Sequence, residues 1–292
     1  MGIGAGRASV CAAAVAVAVS AAGVEGARAQ DGAMPAEVAD AAPAPVWVHD
    51  AWRVQVEPIL WFPSLAGDLT MGSNSSFSVE SLDMDDPEVT PAGQVKLRTG
   101  SEPGSWWFVF SGFGFGIDGT ENAGSSISVG GLDLDRGDRV RYDFEMTSFE
   151  FTAEYVLPQV LDRPQDEVRL GFNLYAGARV YDVDVTIGEP GGDEVSEENF
   201  WFEPILGVRM LLELPEGFAI DLSVDGGWFS SGDDESSSWD LVVAFIWRFH
   251  RHGFAEIGFR HFSPELSTGS GDDEFEFDGR LAGLWASVGF TF

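Results

Sequence analysis

Lysine and cysteine are almost absent from this sequence. Lys96 is the single lysine among 16 basic residues, and Cys11 is the single cysteine in 292 residues. With 48 acidic residues the formal net charge is −32, which disfavours nucleic acid as a partner. One cysteine excludes an internal disulfide framework and a cysteine-based metal site. After the N-terminal segment no apolar run is long enough for a transmembrane helix.

The first fifty residues predict a signal peptide followed by a leader. Residues 9–22 form a short apolar stretch, and Ala27-Arg28-Ala29 has the small-x-small pattern of a cleavage site. We therefore predict a signal peptide over residues 1–29, cleaved near Ala29. Residues 30–50 are rich in Ala, Pro and acidic residues, which predicts a flexible leader. The rest, residues 51–292, is predicted to be one β-barrel domain.

From residue 51 onward, apolar and polar residues alternate with period two. In the first run Val54 and Val56 share one face, whereas Gln55 and Glu57 share the other. About ten such segments follow one another, and several reach 10–14 residues, long enough to cross a bilayer at a tilt. The pattern predicts an all-β fold: an antiparallel up-and-down transmembrane β-barrel of about ten strands, with eight or twelve as alternatives.

The connections between these segments alternate in length. The short ones contain turn residues, and the long ones are rich in Gly, Ser and Asp, which predicts acidic extracellular loops. Because the number of strands is even, both chain ends are predicted on the periplasmic side, where the short turns lie. The predicted short connections are 101–104, 158–166, 214–217 and 250–253, and the long ones are 63–89, 119–137, 187–197, 230–237 and 264–273. Tryptophans near strand ends, among them Trp61, Trp107, Trp201, Trp239 and Trp247, predict interfacial girdles.

The charged faces of the strands are predicted to line the barrel lumen. Their two signs nearly balance, as buried charges require. Small barrels have interiors just filled by side chains, which favours a salt-bridged, filled lumen; a narrow channel and a site for a polar ligand remain the alternatives. The predicted lumen residues are Arg53, Glu57, Lys96, Arg98, Arg141, Asp143, Glu145, Arg169, Arg179, Glu203, Arg209, Asp221, Asp225, Asp240, Arg248, Glu256 and Arg260.

The C-terminal segment carries a family resemblance. Residues 284–292 alternate apolar residues and end in Phe292, which looks like the assembly signal of bacterial outer-membrane proteins. Segments 175–179, 202–209 and 257–260 also resemble a family of uncharacterised small outer-membrane β-barrel proteins. The resemblance implies an outer-membrane location, with outer-membrane lipid, lipopolysaccharide and the barrel assembly machinery as partners. It implies no activity, so we expect a structural or surface-interaction role, or a narrow channel.

One motif suggests an enzyme instead. His261 and Ser263 are two residues apart on a predicted strand and therefore share a face, and Glu265 could orient the histidine. The pair resembles the His-x-Ser motif of lipid A deacylases, although Pro264 follows the serine where that family usually has asparagine. The alternative interpretation is an interfacial histidine and a serine that begins a loop, with no catalysis.

Clustered carboxylates suggest weak binding of hard cations. Asp233, Asp234, Asp272 and Asp273 lie in Gly- and Ser-rich segments, and carboxylates are the oxygen ligands that Ca²⁺ and Mg²⁺ prefer. None of the segments has the full pattern of a helix-loop-helix calcium site. We therefore predict no cofactor beyond loosely bound Ca²⁺ or Mg²⁺, and the alternative is solvated, mutually repelling charge.

Overall fold

The computed structural model describes residues 54–72, 76–100, 103–163 and 167–292, which all fall within one compact unit, Pro43–Phe292. The predicted signal peptide and leader lie outside the described residues, as does Arg53. Among the described residues no helix is long and apolar enough to span a membrane. The described strands are β1 (Val54–Met71), β2 (Ser76–Ser78), β3 (Thr90–Arg98), β4 (Trp106–Asn122), β5 (Ile127–Val129), β6 (Leu132–Leu134), β7 (Arg139–Val156), β8 (Leu161–Arg163), β9 (Val168–Gly188), β10 (Glu194–Glu213), β11 (Phe218–Ser231), β12 (Asp234–His250), β13 (Gly253–Thr268) and β14 (Phe275–Thr291).

Ten of these strands form one closed antiparallel sheet. In sheet order they are β1, β3, β4, β7, β9, β10, β11, β12, β13 and β14. The barrel closes where β14 pairs with β1, with Ala286 opposite Leu60. Because strands that follow one another in the chain are also neighbours in the sheet, the predicted ten-stranded up-and-down barrel is confirmed. Of the remaining strands, β2 pairs antiparallel with the end of β1, β8 pairs with β9, and β5 and β6 form a separate hairpin.

The two ends of the barrel differ in their connections. The start of β1 and the end of β14 lie together, because Gln55 pairs with Thr291, and we call this the terminal end. At the opposite, loop end, β1 is joined to β3 and β4 to β7 by long connections, whereas 189–193, 232–233 and 269–274 are short turns. The long loops predicted at 187–197, 230–237 and 264–273 are therefore wrong in extent. Their inward residues continue the strand alternation through the Ser- and acid-rich sequence.

The chemistry of the two faces inverts along several of the long strands, and β7 shows this most clearly. Near the terminal end Phe149 and Phe151 point outward and are 51% and 41% exposed, whereas Glu154 on the alternate face is buried. Near the loop end the inward residues become apolar, with Phe144 and Met146 completely buried. Residue parity stays constant along the strand, so the change is one of environment and not of register.

The outward faces near the terminal end form an apolar band. Residues of this band that are at least two-fifths exposed include Leu60, Phe62, Trp106, Phe110, Phe149, Phe151, Leu174, Leu206, Phe245, Trp247, Ile257, Phe259, Leu284 and Phe290. Trp239 also points outward, as the girdle prediction requires, but Trp61, Trp107 and Trp201 are no more than 5% exposed and lie inside. Their strands place them at inward positions, so girdle membership cannot be inferred from a position near a strand end alone.

The loop-end half of the interior is a hydrophobic core, which we call the loop-end core. Large side chains from opposite walls meet across the barrel, for example Phe144 and Phe277 with ring centroids 5.2 Å apart. Two connections close the end: Phe77, Val79, Leu82 and Met84 from one, and the β5–β6 hairpin from the other, are buried in the same cluster. Each such side chain stabilises the fold by about 1.5–3 kcal/mol, so this core is a major source of stability.

Candidate functional site

The predicted lumen residues divide into two groups in the structure. Thirteen of the predicted residues lie on inward faces, between the loop-end core and the terminal end: Glu57, Lys96, Arg98, Arg169, Arg179, Glu203, Arg209, Asp221, Asp225, Asp240, Arg248, Glu256 and Arg260. Arg141, Asp143 and Glu145 instead point outward, because their neighbours Tyr142 and Phe144 are buried in the loop-end core. The interpretation of these three as lumen charges is corrected: in this half of the barrel the apolar face is the inner one.

Arg179 is the centre of a buried charge cluster at the middle of the lumen. It is completely buried, and its guanidinium contacts four carboxylates: Glu150 at 2.7 Å, Asp225 at 2.8 Å, Glu203 at 3.6 Å and Asp240 at 3.7 Å. Its Nη1 also donates to Oγ of Ser238 at 2.8 Å. The planar fork of arginine suits this arrangement, since it presents five donors in fixed directions.

Neighbouring side chains complete this cluster. Arg260 donates from Nη2 to Asp240 at 2.5 Å, and the Tyr181 hydroxyl donates to Glu203 at 2.5 Å. The Tyr175 hydroxyl donates to Asp225 at 3.0 Å. Gly207, opposite Tyr175 on β10, allows this ring to lie close to the wall, because a Cβ there would fall 2.3 Å from the ring Cζ. The cluster therefore ties strands from opposite sides of the barrel together.

A second group of polar contacts lies nearer the terminal end. Arg209 donates to Glu154 at 2.5 Å and lies 3.5 Å from Asp221. Glu57 accepts hydrogen bonds from Gln94 at 2.6 Å and Ser287 at 2.5 Å. Charged and polar side chains therefore line the lumen here, whereas apolar side chains fill it at the loop end.

Several lumen residues were not predicted. Glu150, Glu154, Tyr175, Tyr181 and Glu213 all take part in the contacts of the inner wall. Glu150 and Glu154 alternate with Phe149, Phe151 and Tyr155, so the period-two pattern contained the signal for them. The two tyrosines carried no signal, because a tyrosine combines an apolar ring with a polar hydroxyl and therefore suits either face.

Two neighbouring cavities, which share part of their lining, lie in the terminal half of the lumen. The larger, about 180 Å³, is bordered by turn residues such as Pro103, Gln159 and Arg251, so it opens to solvent at the terminal end. The smaller, about 120 Å³, lies deeper, and Lys96, Arg209, Asp221 and Glu256 border both. Its ceiling is formed by Arg260 over Trp61 at 5.1 Å, with Phe113 and Phe262 close by.

The residues of the predicted esterase do not form a catalytic arrangement. His261 and Ser263 share the outward face of β13, but the His261 ring stacks on Trp239 with centroids 4.4 Å apart. The Ser263 hydroxyl donates to the Gly279 carbonyl at 3.1 Å, and Glu265 accepts from Ser237 at 3.1 Å. No hydrogen bond joins any two of His261, Ser263 and Glu265 in the described part of the chain.

These contacts give a direct expectation for Ser263→Ala. The serine hydroxyl is held by a backbone carbonyl and has no base beside it, so its removal should leave the rate of acyl release from purified lipid A unchanged. The measurement is mass spectrometry of lipid A incubated with the folded wild type and the variant. A rate that falls at least tenfold in the variant would restore the esterase hypothesis.

The candidate metal residues are scattered. Asp233 lies in a two-residue turn, Asp234 begins β12 and accepts a hydrogen bond from Thr268, and Asp273 is exposed. Asp272 lies in the turn before β14. Within the described ranges no group of three His, Cys, Asp or Glu side chains is placed to hold a metal ion. Loosely bound Ca²⁺ or Mg²⁺ stays a prediction.

Comparison with known proteins shows the fold. The outer-membrane protease OmpT from Escherichia coli superposes with a TM-score of 0.51 at 10% identity, covering 82% of this chain and 97% of that one. Ail of Yersinia pestis (TM-score 0.32, 9% identity, 82% and 99% covered) and the toluene transporter TodX of Pseudomonas putida (0.29, 8%, 86% and 93%) are too distant to support an argument. No family model and no curated protein matches the chain. The chain has the fold of bacterial outer-membrane β-barrels.

Proposed function

We propose that this protein is a non-conducting outer-membrane barrel with a structural and surface-interaction role. One observation carries the proposal: the loop-end core fills the lumen from wall to wall and is closed by two connections. A passage for ions needs a continuous aqueous path, and a dry core of this kind offers none. The narrow channel of the sequence analysis is therefore the weaker candidate.

The outward faces support a placement of the barrel in the membrane. The apolar band belongs in the hydrocarbon layer, with the terminal end in the periplasm, as is usual for such barrels. The loop-end half, with its polar outward face, then stands above the membrane. There the outward carboxylates form an acidic collar: Asp68, Asp118, Asp143, Glu145, Asp182, Asp184, Glu194, Glu198, Glu235, Glu265, Glu276 and Asp278.

The collar supports the surface-interaction part of the proposal. Outward-facing basic residues are few there among the described residues, with Arg141 and Arg280 as examples. Such a surface attracts cations and, through divalent ions, the phosphates of lipopolysaccharide. Much of the surplus acid lies on strand faces and not only in loops, which refines the predicted acidic loops.

The outward Phe290 and Phe292 at the end of the chain fit the predicted recognition by the assembly machinery.

Planar-bilayer recordings test this function. The folded protein should insert without conductance steps, because the loop-end core leaves no aqueous path. Insertion is verified separately by reconstituting the same sample into vesicles and measuring its β-sheet circular dichroism, and a known porin serves as the positive control. Reproducible single-channel steps that scale with protein concentration would contradict the proposal.

A further inference from the structure

The residues that directly line the cavity at the terminal end are mostly basic among the charged ones, unlike the protein as a whole. The cavity lining contains six basic side chains and three carboxylates, a formal excess of three positive charges in a chain of net charge −32. The basic residues are Lys96, Arg98, Arg169, Arg209, Arg248 and Arg251, and the acidic ones are Glu213, Asp221 and Glu256. An excess of one sign of charge in an opening with low-dielectric walls favours ligands of the other sign.

Further carboxylates stand behind this lining, and each has partners of its own. Glu57 is held by Gln94 and Ser287, and Glu154 is held by Arg209. Asp162 lies 3.4 Å from Arg169. They reduce the positive potential of the cavity, but their oxygens are already engaged in the wall.

Lys96 forms no ion pair with the wall among the described residues, although Glu57, Glu154, Asp221 and Glu256 lie near enough to act on its charge. Its side chain is 7% exposed and borders both cavities. Within the described ranges its ammonium makes no hydrogen bond and no ion pair within 4 Å; its contact is the Trp107 ring, 5.7 Å away. A buried charge without a partner is costly, so an anion placed beside Lys96 would be stabilised strongly.

The same cavity has apolar walls. Trp107, Leu211, Ile246 and Phe254 border it, and the Arg98 guanidinium stacks on Trp107 at 3.2 Å. Apolar walls with a few convergent polar groups are typical of small-molecule sites. We propose that this cavity binds a small organic anion, a carboxylate attached to an apolar group, with its charge at Lys96 and Arg98 and its entry from the terminal end.

The single lysine provides a specific reporter. Protein labelled only with ¹⁵N-lysine and folded in zwitterionic nanodiscs gives one backbone amide peak, from Lys96. Titration with benzoate should shift this peak saturably, whereas benzyl alcohol, of similar shape but neutral, should not shift it. Inorganic phosphate should bind at least about tenfold more weakly than benzoate, because it lacks the apolar part.

Two variants keep the reporter and separate the cavity from the rest of the surface. Arg98→Gln should weaken benzoate binding at least about tenfold, because it removes a charge-assisted hydrogen bond to the carboxylate. Arg280→Gln, on the outward face of β14, should leave the affinity unchanged. Lys96→Gln lacks the lysine reporter, so its binding is measured by isothermal titration calorimetry of the folded protein. We expect no heat of benzoate binding.

Four results would overturn the proposal. The first two are a shift of the Lys96 peak with benzyl alcohol equal to that with benzoate, and phosphate binding as tight as benzoate binding. The other two are a benzoate affinity of Arg98→Gln equal to that of Arg280→Gln, and a heat of benzoate binding retained in Lys96→Gln. An anionic-lipid nanodisc that moves the Lys96 peak without benzoate would assign the cavity to a lipid headgroup instead, and would likewise overturn the small-anion assignment.

Discussion

Replacing Arg179 by methionine is expected to lower the free energy of unfolding by about 3–5 kcal/mol. The substitution keeps much of the side-chain volume but removes the guanidinium that contacts Glu150, Glu203, Asp225 and Asp240. These carboxylates then stay buried with Arg260 as the remaining nearby cation. The measurement is urea-induced unfolding of the protein in lipid vesicles, followed by tryptophan fluorescence.

Two further variants make this result specific. Arg280→Met removes an exposed arginine from the outer face, and we expect a change within about 0.5 kcal/mol. Adding Asp225→Asn to Arg179→Met should recover part of the loss, because one buried negative charge disappears together with its partner. A stability of Arg179→Met within 1 kcal/mol of wild type, roughly the cost of an average substitution, would show that the cluster is not the buried network described above.

Phe144→Ala should cost about 3–5 kcal/mol of unfolding free energy, because it opens a cavity in the loop-end core. Phe144 is completely buried and contacts both Phe115 and Phe277. The matched control is Glu145→Ala, the next residue on the opposite face. Glu145 is exposed, so its loss should change stability by no more than about 0.5 kcal/mol.

This pair also tests which face of β7 is the inner one. If the charged face were inward, as the sequence pattern predicts, Glu145→Ala would be the costly change and Phe144→Ala the mild one. The same urea titration in vesicles measures both. Equal losses from the two variants would contradict the assignment of faces.

In the terminal half of the barrel the alternation predicted most of the charged inward residues. Along β1, Gln55 and Glu57 alternate with Val54 and Val56, and the structure buries the first pair. The alternation identifies the two faces there, because a residue that faces lipid is apolar, whereas a residue that faces the lumen can be charged. The same rule applied to Arg141 and Asp143 gave the wrong face, since that part of β7 lies beyond the apolar band.

Long-range contacts were beyond the reach of the sequence. Arg179 meets Glu150, Asp225 and Asp240, which are separated from it by 29 to 61 positions along the chain. Their meeting depends on barrel shear and closure. The separation of His261 from Ser263 was equally undetermined, because two side chains on one face can each find a better partner, here Trp239 and the Gly279 carbonyl.

By itself, the sequence determined ten alternating strands, their antiparallel order and two faces of opposite polarity. Only the tertiary structure decided which face is inside at each height of the barrel. A period of two separates the two faces of a strand but does not show which face points inward. That depends on whether lipid or water surrounds the strand at that height of the barrel. Near the terminal end the bilayer surrounds the barrel, so the outward residues are apolar. At the loop end water surrounds it, so the outward residues are polar and the apolar residues pack inside the barrel.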